Sequence, residues 1–70
     1  MDMNKLKQFA FEVLGDFMPE RAYTIQEMSR GRVAIVVIYG GLVEAPAEIV
    51  REDWNNAKAG TEFESVALYM

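Results

Sequence analysis

Seventy residues carry seven Lys and Arg against eleven Asp and Glu, a net charge of −4, with no histidine and no cysteine. This excludes disulfides, zinc sites built on Cys or His, and His- or Cys-based catalysis. It leaves room for one domain, residues 1–70, and a chain of this length buries only roughly 60% of its unfolded surface, so efficient packing or a second copy of the chain must supply the stability.

Residues 1–18 read as a helix. Leu6, Phe9, Ala10, Val13, Leu14 and Phe17 recur at spacings of three and four on one stripe, while Lys5, Lys7, Gln8 and Glu12 fall outside it. Asp2 or Asn4 can cap the start, and Gly15, with Pro19 beyond it, offers a left-handed residue and a stop signal. Lys7, Glu12 and Asp16 interrupt the apolar positions, so a targeting signal is not expected here. No apolar run approaches the roughly 20 residues that span a bilayer, and a cytoplasmic location is expected.

From residue 22 the period becomes that of a sheet. The strand AYTIQEMS leads to a hairpin tip at Arg30-Gly31; RVAIVVIY leads to Gly40-Gly41, a pair suited to the positive φ of a two-residue hairpin; and LVEAP follows, with Pro46 ending it or placing it at an edge. A short polar helix or turn near 48–58 then leads through Gly60 to a last strand, TEFESVALYM. There Phe63, Ser65, Ala67 and Tyr69 are expected on one face and Glu62, Glu64, Val66 and Leu68 on the other. The expected fold is α+β: an N-terminal amphipathic helix packed on a small antiparallel meander sheet of about four strands, curled into a partly open barrel.

The second strand is apolar without a break from Val33 to Ile38. A strand with one wet face alternates; this one asks both faces to leave water. One face can close on the curled sheet, and the other needs a lid, for which the N-terminal helix has the right length and stripe. Leaving such a face exposed would forfeit about 1.5–3 kcal/mol for each large aliphatic side chain. The alternative cover is a second molecule, as in a homodimer.

Between Ile25 and Glu64 the succession of the strand Val33–Ile38, a glycine turn, the Ala45-Pro46 corner and the approach Ala57-Lys58-Ala59-Gly60-Thr61 resembles a family of short bacterial proteins with small SH3-like barrels. Trp54-Asn55-Asn56 departs from that pattern where the family has a proline-glycine turn. The resemblance implies a barrel and, because the family has no assigned activity, no function.

The remaining nucleophiles, Thr24, Ser29, Thr61 and Ser65, have no partnering base in a recognisable motif, and Gly40-Gly41 lacks the lysine and helix start of a phosphate loop. Glu48 and Glu52, one helical turn apart, read as a solvated face rather than a cation site. No enzyme, cofactor or metal is expected.

Charge gives the functional lead. Residues 1–41 balance five acids with five bases, whereas residues 42–70 set Glu44, Glu48, Glu52, Asp53, Glu62 and Glu64 against Arg51 and Lys58, so the whole net charge lies in the second part. An acidic surface repels phosphate backbones and attracts basic partners. The first functional expectation is a protein-binding module whose partner-binding residues are these six acids with Trp54 as anchor. For Trp54 the competing reading is a plug at one end of the barrel. In size, acidity and lack of catalytic groups the chain is similar to small phage-encoded inhibitors, anti-CRISPR proteins among them, which implies docking on a nucleic-acid-handling protein. A second expectation is a small-barrel nucleic-acid binder that stacks bases on Tyr23, Tyr39 or Tyr69 and grips phosphate with Arg30 and Arg32, although the overall charge has the wrong sign for it. A third is self-association, through apolar Met1, Met3, Tyr69 and Met70.

Overall fold

Asp2 starts the first helix. Its carboxylate accepts hydrogen bonds from the Asn4 and Lys5 N–H groups at 3.0 and 3.3 Å, occupying two donors that a helix start leaves unpaired. The computed structural model, which describes residues 1–70, places this helix, α1, at Met3–Leu14. Leu6, Ala10 and Leu14 of the expected stripe are buried, and Phe9, Val13 and Phe17 are half-buried beside them.

The helix ends four residues before the expected limit. Gly15 is not left-handed: it keeps φ −60° and ψ −22°, and the N–H groups of Phe17 and Met18 both reach the Leu14 carbonyl, so the chain leaves α1 through a right-handed turn. Pro19, extended at ψ 157°, then breaks the turn.

Strands β1 (Tyr23–Glu27) and β2 (Val33–Val37) form the expected antiparallel hairpin, in a register that sets Tyr23 opposite Val37 and Glu27 opposite Val33. Its tip is Arg30-Gly31, with φ of 64° and 71°, and the Met28 N–H closes it on the Arg32 carbonyl at 2.6 Å.

Beyond β2 the architecture departs from the four-stranded meander. A two-residue hairpin at Gly40-Gly41 would need positive φ, but the positive-φ residues are Arg30, Gly31 and Gly60 alone. Residues Gly40–Leu42 form a 3-10 turn instead, and the following segment makes no strand: Leu42, Val43 and Ala45 pack on the core while the Glu44 N–H bonds the Phe17 carbonyl. The expected short helix or turn is a full helix, α2 (Ala47–Lys58). The last segment is strand only over β3 (Ala67–Tyr69), which pairs with β2 in parallel, Ile35 beside Leu68. Two parallel neighbours require a crossover, and α2 is that crossover.

The result is two helices on a three-stranded open mixed sheet ordered β1-β2-β3. It has neither the four strands nor the closure of an SH3-like barrel. Tyr23, Ile25, Val33, Ile35, Val37 and Leu68 face the core with residues of both helices, Leu6, Ala10, Leu14, Val50 and Trp54. Phe9 stacks edge-on to Trp54 with ring centroids 5.4 Å apart and lies 4.9 Å from Phe63, joining α1 to α2 and to the turn before β3.

The second apolar side of β2 is therefore covered neither by the lid helix nor by sheet curling, because both helices lie on the first side and the sheet stays open. That outer side presents Thr24, Gln26, Ala34, Val36, Ala67 and Tyr69, with no charged residue; Ala34 is buried between its neighbours and Tyr69 is half-exposed.

Candidate functional site

The acidic segment is organised by α2. At 3.6 residues per turn Val50, Trp54 and Ala57 form the inward stripe, which turns Glu48, Ile49, Glu52, Asp53, Asn55 and Asn56 outward, together with one base, Arg51. Glu48 and Glu52 stand one turn apart, Asp53 lies round the helix from them, and Ile49, 50% exposed, lies between the two acidic flanks. The structure thus brings three of the expected partner-binding acids onto one helix face. Glu44 lies just before the start of α2, and Glu62 and Glu64 follow its end.

Glu64 already has a local role. Its carboxylate accepts the Gly60 N–H at 2.8 Å, where Gly60 turns the chain at φ 75°. Thr61 caps the helix end by donating both its N–H and its hydroxyl to the Lys58 carbonyl, the hydroxyl at 2.7 Å.

Trp54 is absent from this surface. It is fully buried, and its indole N–H donates to the Val66 carbonyl at 2.9 Å. Of the two sequence readings for this residue, the anchor is thereby removed and the plug is replaced by a place at the centre of a two-layer core. The Lys58 ammonium reaches the same carbonyl at 2.8 Å, so one of the two bases of the acidic half is bent back onto the chain. Sequence reasoning passed over Ile49, whose exposed position follows once residues 50, 54 and 57 are taken as the buried stripe.

The hairpin tip holds Arg30 and Arg32, both exposed, and Tyr39 and Tyr69 are exposed elsewhere. Tyr23 is not available for base stacking: it is 9% exposed, its hydroxyl has no hydrogen-bond partner, and its pKa is raised above the usual 10.0 by burial and, second, by the Glu20 carboxylate. No three acidic side chains converge as ligands for a metal ion, and no helix is long and apolar enough to cross a membrane. No protein-family model matches the chain, and neither the curated proteins nor the solved structures include one significantly similar to it.

Proposed function

We propose that the chain is a non-enzymatic protein-binding module of the cytoplasm that docks the outer face of α2 on a basic surface of a nucleic-acid-handling partner. The observation that carries this reading is the exposed Ile49 set among Glu48, Glu52 and Asp53 on a helix whose other large apolar side chains are buried. An apolar residue ringed by charge is the arrangement of an interface in which the centre supplies desolvation and the rim supplies steering. Glu44 before the helix and Glu62 and Glu64 after it add to the negative charge of the same segment. A carboxylate face of this kind competes with phosphates for the same Lys and Arg side chains, so occupation of a nucleic-acid channel, in the manner of small acidic phage-encoded inhibitors, is the mode of action that fits it.

The test is affinity capture with the wild type, with Glu48, Glu52 and Asp53 all changed to Lys, and with Ile49→Ser. Both variants are expected to lose a basic protein that the wild type retains, and added double-stranded DNA or RNA is expected to release that protein. Equal recovery by all three proteins counts against the proposal.

A nucleic-acid-binding reading keeps one specific observation in its favour, Arg30 and Arg32 exposed together at the tip of the β1–β2 hairpin. A gel shift with random DNA at moderate salt decides it. Tight binding that disappears with Arg30→Gln and Arg32→Gln would place the function at the hairpin instead.

A further inference from the structure

Strand β1 lies at an edge of the sheet, and its backbone has groups to spare. In an antiparallel ladder, hydrogen-bonded and non-bonded pairs alternate. The bonds from the Met28 N–H to the Arg32 carbonyl and from the Ile38 N–H to the Ala22 carbonyl fix the bonded positions of β1 at the even residues. The N–H and C=O of Ile25 and Glu27, and the C=O of Tyr23, therefore point away from β2; the Tyr23 N–H is occupied by the Glu20 carbonyl. Nothing blunts this edge: the strand has continuous register, no proline and a single charge, Glu27.

A groove of about 400 Å³ runs beside the edge, lined by Lys7, Glu20, Tyr23, Thr24 and Ile25. Tyr23, one of its walls, is about nine-tenths buried and carries the unpartnered hydroxyl. The Lys7 ammonium in the same groove favours a negatively charged group there.

The chain itself carries that group at the matching place. We propose that two copies pair their β1 edges antiparallel about a two-fold axis through Ile25, making a six-stranded sheet in which Glu27 of each copy enters the groove lined by Lys7 and Tyr23 of the other. This register sets Ile25 opposite Ile25 and Tyr23 opposite Glu27. The odd positions of β1 lie on the helix side of the sheet, the side from which Lys7 of α1 reaches the groove. Thr24 meets Gln26 on the outer side, a neutral polar pair. Sliding the register by two residues one way sets Ile25 opposite Glu27, an apolar side chain against a charge; the other way sets Ile25 opposite Tyr23 and carries Glu27 past the start of the other β1, to Arg21 in the 3-10 turn, where no strand is left to pair with it. Four backbone hydrogen bonds close the seam: each Ile25 N–H donates to the other Ile25 carbonyl, and each Glu27 N–H to the other Tyr23 carbonyl. Glu20, the second charge in the groove, opposes the incoming carboxylate, and a seam one strand long is small, so the dimer is a weak and reversible one.

The inference concerns a surface separate from the outer face of α2, and its test is read without any partner protein. In sedimentation equilibrium the wild type is expected to pass from monomer to dimer between about 10 μM and 1 mM, the range of small transient interfaces. Lys7→Glu and Glu27→Lys, both at exposed positions, are each expected to weaken association at least about tenfold, and the two together to restore it. Glu20→Gln is expected to tighten it. Hydrogen exchange gives the register: the Ile25 and Glu27 amides are expected to gain protection as concentration rises. A wild type that is monomeric at 1 mM, a double charge swap that fails to restore a dimer, or a dimer in which those two amides exchange freely would each overturn the proposal.

Discussion

Arg30 sits in the left-handed region, at φ 64° and ψ 27°, where any side chain but glycine is disfavoured. The hairpin keeps it there because Gly31 follows with a like conformation and Met28 closes on Arg32. Arg30→Gly is expected to raise stability by about 0.5–1 kcal/mol in urea unfolding, since relief of the left-handed conformation outweighs the added freedom of the unfolded chain. Tyr23 offers a second test at this scale. With its folded pKa raised, Tyr23 ionises more readily in the unfolded chain, so native stability is at its full value below the unfolded pKa near 10 and is lost as pH climbs from 10 through the raised value. Tyr23→Phe is expected to flatten the alkaline loss of stability and to gain up to about 1 kcal/mol at neutral pH in the dilute monomer, because it removes a buried hydroxyl without an acceptor. Unfolding curves between pH 7 and 11 check both statements. Little of this was legible beforehand. An aromatic residue at a strand start carries no sign of whether its hydroxyl finds an acceptor, whereas the turn at Arg30-Gly31 was announced by the glycine.

At the scale of the element, periodicity spoke clearly wherever one face meets one core. The stripe of α1 needed no tertiary knowledge, and neither did the β1–β2 hairpin, whose short tip leaves the chain little choice but to return beside itself. The rest depended on long-range partners. Gly40-Gly41 is compatible with a hairpin or with a 3-10 turn, and the choice fell to Leu42, Val43 and Ala45, which bury more by crossing to the core than by extending the sheet. Phe63, Val66 and Leu68 point inward at spacings of three and two, a turn running into a strand, so alternation misassigned the whole segment as strand. The decisive contact for that segment is Trp54 on Val66, which fastens residues 59–66 to α2 and delivers β3 to the edge of β2. Trp54→Ala removes the largest fully buried side chain of the core and this bond together. It is expected to cost about 3–5 kcal/mol, enough to leave a domain of this size largely unfolded at room temperature, as circular dichroism would show. The same burial explains why the expected anchor was misplaced: tryptophan is common both in cores and at binding hot spots, and only the stripe it shares with Val50 tells them apart.

The molecule as a whole is a two-layer sandwich with unlike exteriors. Its α2 side is acidic, while its outer sheet side carries no charge on the strands. The uninterrupted run from Val33 to Ile38 announced that both sides of β2 are apolar, and the structure gives only one of them a cover within the chain. Salt should therefore act unevenly. Ionic strength would screen the proposed encounter of α2 with a basic partner, whereas any contact made by the uncharged outer side of the sheet would be largely insensitive to it. The single tryptophan adds an optical consequence. Its indole is sealed beneath the strap that ends in Val66, within a domain that contains no other residue of its kind. Fluorescence emission thus reports the opening of the core around that indole, by the strap on one side or by Phe9 of α1 on the other, and a red shift that precedes the loss of ellipticity would time this loosening ahead of the melting of the helices.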